Sequence, residues 1–344
     1  MKNNSGKTGK IRLAHGGGGR LANELITKTI LPGLGEDGAA ILTDSADITA
    51  PSTSLCFTTD SFVVKPLFFN GGDIGKLAVC GTVNDLAVAG CEPIALSLSL
   101  IIEDGLAIET LEKILTSTAE AATSAGVKIV TGDTKIVEAG AADGIFINTA
   151  GIGAKIENAN VAFDRIAPGD KIIINGTIGD HGMTIMSQRE NIKFETPLES
   201  DCASLNGLVA EILQGAGADI KFMRDPTRGG MAAILNEIAA SGHCDIEITE
   251  SDIPINPVAL AAAEALGFDL LNIANEGKVI IIASPDSADA VVSTCRDHPL
   301  GKDAAVIGTV TNRSQDEPLV ELATKIGGRR IIQMPYGREL PRIC

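Results

Sequence analysis

Residues 95–130 read ALSLSLIIEDGLAIETLEKILTSTAEAATSAGVKIV, and this stretch decides the fold class. Ala95–Ile102 is an apolar run of strand length. Leu106–Ala125 carries apolar residues at helical spacing and meets Gly126, the residue type that closes helices in a left-handed conformation. Val127–Val130 then returns to strand composition. Strand, helix and strand in succession make a βαβ unit and predict an α/β architecture.

Outward from this unit the alternation continues. Leu55–Asp60 reads as a short strand ending at an acid, Gly75–Ala89 as a helix stopped by Gly90, and Gly144–Ile152 as a further strand. A polar stretch over Ala154–Gly169, ending Pro168-Gly169-Asp170, marks a boundary before the strand Lys171–Asn175. Helices are predicted over Met183–Arg189, Leu205–Gly215, Gly230–Ser241 and Asn256–Leu266, with strands near Ile246–Ile248 and Val279–Ala283. From Gly327 the periodicity fades, and an arm with two prolines ends Pro341-Arg342-Ile343-Cys344. Fully extended from Ile332, that arm carries the Cys344 sulfur about 40 Å. The expected organisation is a two-domain α/β (α+β) chain: residues 1–155, residues 156–326, and a flexible tail over 327–344.

Composition agrees. At roughly 150 residues per domain, 344 residues suit two domains, and 44% hydrophobic against 21% charged residues suits a globular chain. The net charge of −16 opposes nonspecific binding to nucleic acid or anionic lipid. No apolar stretch is long enough to span a bilayer and no secretory leader follows MKNNSGKTGK, so the cytoplasm is the expected compartment. Seven scattered cysteines without a CxxC pair indicate neither a disulfide framework nor a zinc site.

The chemistry-bearing candidates have ordinary alternatives. Gly6-Lys7-Thr8, Gly75-Lys76 and Gly277-Lys278 lack the spacing of a P-loop. The run Gly16–Gly19, with Gly18 and Gly19 beside Arg20, can present backbone N–H groups to phosphate or be a flexible terminus. Asp37, Asp60, Asp85 and Asp133 stand where strands or helices meet loops; such acids converge on Mg²⁺ and phosphate, or simply cap turns. Lys135 follows Asp133 closely, as a phosphoryl-stabilising cation or a surface lysine. Glu276 in Asn275-Glu276-Gly277 is a base or a solvated acid, and Gly179-Asp180-His181-Gly182 reads foremost as a tight turn. Asp225-Pro226-Thr227-Arg228-Gly229-Gly230 offers Arg228 and a helix N-terminus to an anion, or only a capped helix. Cys344 is a thiol on an arm, and a thiol so placed can carry a group between two pockets.

Together PRIC, TTDSFVVKPLFFNGGDIGKLAVCGTVNDLAVAG, TGDTKIV, GDHG, DPTRGG and NEGK resemble the HypE family of carbamoyl dehydratases, over His15 to Cys344. The shorter motifs recur in a wider ATP-using superfamily with aminoimidazole ribonucleotide synthetase, thiamine-monophosphate kinase and selenophosphate synthetase. The resemblance implies an N-terminal domain whose strands form a β-barrel across a homodimer, a C-terminal α/β domain and a flexible tail. It implies ATP and Mg²⁺, with Asp37, Asp60, Asp85 and Asp133 as metal-site acids and Asn84, Asn148, Gly18 and Gly19 near the nucleotide. A HypF-type carbamoyltransferase would load Cys344, Lys135 and Glu276 would act around the carbamoyl group, and a HypC–HypD complex would accept the cyanide. Other readings are a small-molecule synthetase or kinase of the superfamily, or a non-catalytic thiol carrier. The uniform glycines at 16–19 depart from the family pattern, and the first cysteine, Cys56, lies too far along the chain for the selenophosphate reading.

Overall fold

The computed structural model describes residues 9–16, 20–36, 48–52, 54–192, 194–313, 317–335 and 342–344. Gly18, Gly19 and Asp37 lie outside the described residues. Short helices α1 (Arg20–Leu25) and α2 (Leu31–Gly33) precede strand β1 (Leu55–Phe62) and a small hairpin, β2 (Phe68–Phe69) with β3 (Gly72–Asp73). Helix α3 (Ile74–Val88), strand β4 (Cys91–Glu103), helix α4 (Ile108–Ala125), and strands β5 (Lys128–Val137) and β6 (Ile145–Lys155) complete this half. Four strands form one sheet in the order β1-β6-β4-β5. Its only parallel pair, β4 with β5, is the one joined by α4, as the βαβ reading requires.

Helix α3 is buried nearly all round, because it packs on the sheet with one side and on α4 with another. Asp73 starts it, its carboxylate accepting the N–H groups of Gly75 (2.7 Å) and Lys76 (3.1 Å). A Cβ at Gly75 would lie 2.5 Å from both the Ile114 carbonyl oxygen and Thr118 Oγ1, so the two helices meet almost backbone to backbone. Ile74, Leu77, Leu98, Leu100, Ile114 and Ile147 fill the core between helices and sheet.

The sheet's other face is open. Leu55, Phe57, Thr59 and Ser61 alternate outward along β1, and Phe57 is 71% exposed. Among the described residues no barrel closes: β1 and β5 are the outer strands of a four-stranded sheet, and closure takes about eight strands.

The expectation that the cysteines form no disulfide is corrected at one place. Cys56 on β1 is bonded to Cys91 at the start of β4, with the Cα atoms 6.6 Å apart. The bridge crosses the intervening β6 at Gly153, the register partner of Cys56, where an added Cβ would come within 3.0 Å of Cys91 Cβ. The pairing follows from register and a glycine gap, neither of which cysteine spacing reveals. Cys80, Cys202, Cys244 and Cys295 are buried thiols outside any disulfide.

The second half comprises β7 (Lys171–Ile174), α5 (Asp180–Arg189), α6 (Asn206–Ala216), β8 (Ile220–Arg224), α7 (Gly230–Gly242), β9 (Cys244–Thr249), α8 (Pro257–Leu266), β10 (Ile280–Ala283), α9 (Ala288–Asp297), β11 (Ala305–Arg313), β12 (Val320–Ala323) and β13 (Arg329–Ile331). The strands run β13-β12-β9-β11-β7-β10-β8 in one sheet. Alternate residues of β7 enter opposite layers: Ile172 and Ile174 meet Met231 and Leu235 of α7, while Ile173 meets Leu208 of α6 and Val291 of α9. Arg329–Ile331 pair with Glu321–Ala323, so the expected arm leaves the sheet only beyond β13. Among the described residues no helix is long and apolar enough to cross a membrane.

Because α3 carries Asn84 and Asp85, its first turn supports the site described next. Replacing its cap, Asp73→Ala, should lower unfolding free energy by about 1 kcal/mol, read from urea denaturation.

Candidate active site

The segment Arg342–Cys344 is seated against the body of the chain. The N–H of Val63 donates to the Cys344 carbonyl (3.1 Å) and that of Lys65 to the Arg342 carbonyl (3.3 Å), the pattern of an added antiparallel strand. Arg342 forms an ion pair with Asp143, donates through Nε to the Val63 carbonyl (3.2 Å) and lies 5.5 Å above the Phe146 ring. Ile343 is buried, and its carbonyl lies 2.9 Å from His181 Nε2. The Cys344 sulfur then sits 3.9 Å from Arg228 Nη2.

The sulfur faces an acidic enclosure. Glu276 is 3% exposed and its Oε1 has no hydrogen-bond partner. Burial, followed by the negative charges of Asp201, Asp225 and Asp60, holds its carboxyl well above the usual range. Burial and then neighbouring Asp85 push Asp225 up to about 7. Asp60 and Asp85 are raised as well, each mainly by burial; Asp85 accepts a 2.8 Å hydrogen bond from Thr58 Oγ1. Burial and the Glu276 charge push the Cys344 thiol up to about 11 although Arg228 pulls it down. The guanidinium beside the sulfur is thus Arg228, from the DPTRGG loop, while the adjacent Arg342 is engaged with Asp143.

Backbone hydrogen bonds fix Glu276 from two sides. Asp201 accepts the N–H groups of Glu276 (3.1 Å) and Gly277 (3.3 Å) and pairs with Lys278 Nζ (2.9 Å), their side chains only 5% and 10% exposed. From α3, the Asn84 amide donates to the carbonyls of Ala203 (3.0 Å) and Glu276 (3.3 Å), and its oxygen accepts the Leu205 N–H (2.7 Å). Asn84 therefore clamps the loop that carries Glu276. Gly277 is forced by contact, since a Cβ there would fall 1.9 Å from the Asp201 carbonyl oxygen. Asp201 carries no periodic or motif signal in the sequence, and Lys278 closes the NEGK motif without showing its partner; only their spatial meeting reveals the pair.

The sequence candidates divide between the two faces of the first sheet. Asp60, Asp85, Glu276 and Cys344 come together on the α3 side. Asn148 donates to Thr59 Oγ1 (3.2 Å), Ser61 Oγ (3.1 Å) and the Asp60 carbonyl (2.8 Å), on the open side. Asp133 and Lys135 form an exposed ion pair at 2.7 Å on edge strand β5, and the lysine holds the Asp133 carboxyl below its usual range. The period of two sends Thr59 and Ser61 one way and Asp60 the other.

Among the described residues no three His, Cys, Asp or Glu side chains converge on a metal-sized centre. Burial raises Asp60, Asp85 and Asp225, and the charge of Asp85 adds to the rise of Asp60 and Asp225; a cation sharing phosphate oxygens with them would offset both costs.

An acidic pocket beside a seated sulfur, on two joined α/β halves, has relatives. The chain belongs to the AIR synthase related protein family: the N-terminal domain model matches residues 35–154 and the C-terminal domain model residues 167–321. Within it, the chain falls among the HypE carbamoyl dehydratases. It is 48% identical over 336 residues to carbamoyl dehydratase HypE of Rhizobium leguminosarum bv. viciae, covering 98% of this chain and 95% of that relative. A crystal structure of hydrogenase maturation protein HypE in complex with ATP is 42% identical with a TM-score of 0.90, covering 97% of this chain and 99% of that one. A HypE–HypF complex contains a chain 50% identical with a TM-score of 0.78, covering 82% of this chain and 90% of that one.

An unfolded aspartate ionises near pH 4, whereas folded Asp225 keeps its proton to about pH 7. A raised folded pKa gives stability that is complete below the unfolded value and is lost as pH rises through the folded one. Without nucleotide, the melting temperature of Asp225→Asn should therefore fall less than that of wild type between about pH 5 and pH 8, as differential scanning calorimetry will show.

Proposed function

We propose that this chain is an ATP-dependent carbamoyl dehydratase that converts its own S-carbamoylated Cys344 to a thiocyanate, supplying cyanide for the iron of nickel–iron hydrogenase. The observation that carries the reading is the Cys344 sulfur seated beside Arg228 in a pocket walled by Glu276, Asp60 and Asp85. A sulfur with a raised pKa is a poor nucleophile there, which suits a sulfur that brings its cargo in rather than one that attacks.

The carbamoyl oxygen is a poor leaving group until it accepts the γ-phosphoryl group of ATP. The C–O bond then breaks to release phosphate, the nitrogen gives up its protons, and the carbon–nitrogen bond becomes triple; ADP and phosphate leave. Glu276, once ionised, takes a proton from nitrogen through its unpartnered oxygen, and its raised pKa makes that carboxylate a stronger base than an ordinary one. Arg228 faces the sulfur-bound group and stabilises negative charge on the phosphorylated oxygen. Burial keeps water from the activated carbamoyl group.

Asp60, Asp85 and Asp225 would hold Mg²⁺ with the triphosphate, and the ion would neutralise phosphate charge. The family resemblance names Asp37, Asp60, Asp85 and Asp133 for this role, and Asp225 is added here because it lies among the same buried acids. Two copies pairing through the open sheet face would complete a barrel, and Asp133, Lys135 and Asn148 would then stand at the homodimer interface. The exposed Phe57 supports this pairing. The carbamoyl donor is a HypF-type carbamoyltransferase and the cyanide acceptor a HypC–HypD complex, in the cytoplasm.

Intact-mass spectrometry tests the reading. The carbamoylated protein should lose the mass of one water when ATP and Mg²⁺ are added, and Cys344→Ala should acquire no carbamoyl group. Glu276→Gln should load normally yet dehydrate about 100-fold more slowly. An unchanged mass in loaded wild type would overturn the assignment, as would turnover of a free small substrate that survives deletion of residues 341–344.

A further inference from the structure

The GDHG turn holds a residue that the reaction as described does not use. Its glycines have a packing reason: Gly179 has φ +80°, and a Cβ at Gly182 would meet Ile273 Cγ2 at 2.5 Å. His181 between them is completely buried at the start of α5, with the edge of Phe69 packed against it (ring centroids 5.5 Å apart). Its two nitrogens reach in different directions. Nδ1 lies 2.8 Å from Ser200 Oγ, and Nε2 lies 2.9 Å from the carbonyl oxygen of Ile343.

A carbonyl oxygen only accepts, so Nε2 carries the proton, and Nδ1 of the neutral ring accepts from the Ser200 hydroxyl. The same hydroxyl accepts the Cys202 N–H (3.1 Å), and the Ser200 N–H is held by the Asn70 carbonyl (2.9 Å), so Ser200 is itself fixed. Asp201, the next residue, grips the backbone of Glu276. One short loop therefore sets both the carbonyl that precedes Cys344 and the acid that faces it.

We propose that His181 is a positioning residue: its Nε2–H, oriented by Ser200, anchors the Ile343 carbonyl and thereby fixes the register of the Cys344 adduct opposite Glu276. This rests on the reading that Cys344 carries the processed group, but the anchoring can be measured without it.

The rate of Cys344 alkylation by N-ethylmaleimide, followed by intact mass, reports anchoring in the unloaded protein; ATP-driven loss of water from the carbamoylated protein reports register. His181→Leu should raise the first and lower the second by about tenfold each. His181→Gln, whose amide nitrogen can replace the Nε2 donor, should return both rates most of the way to wild type. Ser200→Ala should shift both in the same direction as His181→Leu, but less, and it carries the test if His181→Leu fails to fold. A folded, ATP-binding His181→Leu protein with wild-type alkylation and dehydration rates would overturn the proposal, and so would His181→Gln as impaired as His181→Leu. Changed alkylation with no dehydration even in wild type would fault the functional reading while leaving the anchor standing.

Discussion

A carboxyl group removed from water and crowded by other acids is the constraint around which this molecule is organised. Glu276 is buried, with one oxygen unpartnered and acids on several sides. An ionised carboxylate in such surroundings is strongly disfavoured. The fold keeps it there by holding its backbone rather than its charge, through Asp201, Ala203 and Asn84, which together engage the N–H and C=O groups of residues 276 and 277. The buried Lys278–Asp201 pair belongs to the same support, and each partner would be costly to bury alone.

The two halves of the chain divide the work. The first supplies α3, whose cap and close contact with α4 set the positions of Asn84 and Asp85, and a sheet that presents Asp60 toward them. The second supplies loops at the starts of α5 and α7 and before β10, which deliver His181, Arg228 and Glu276. Neither half holds the complete set, so the chemistry depends on how they meet. Asn84, reaching from α3 to the Glu276 carbonyl, couples that meeting to the position of Glu276.

Much of this was legible in the sequence, for identifiable reasons. The βαβ unit over residues 95–130 announced itself because its helix is amphipathic and ends at a glycine with φ +68°. Asp60, Asp85, Glu276 and Cys344 were visible as polar residues among apolar or glycine-rich neighbours, although Asp60 lies inside β1 and Asp85 inside α3 rather than where strands give way to loops. Strands β8, β11, β12 and β13 and helix α9 were not singled out: short strands carry weak patterns, and their pairing in this sheet depends on distant segments. The separation of Asn148, Asp133 and Lys135 from the sulfur could not be read either, since it depends on register, and register is a property of pairs of strands. Asp201 lies in a segment without periodicity and gains its meaning only from Glu276 and Lys278. The Cys56–Cys91 bridge likewise required knowing which strand lies between them.

The weak acidity of the seated sulfur separates two environments for one atom. Burial and the Glu276 charge push its thiol up to about 11, so a thiolate is disfavoured where it sits. In water, away from those groups, the same thiol would ionise more readily. A sulfur already bonded to carbon has no proton to lose, and for it the pocket carries no such cost. The wall that discourages a bare anion is thus indifferent to a capped one.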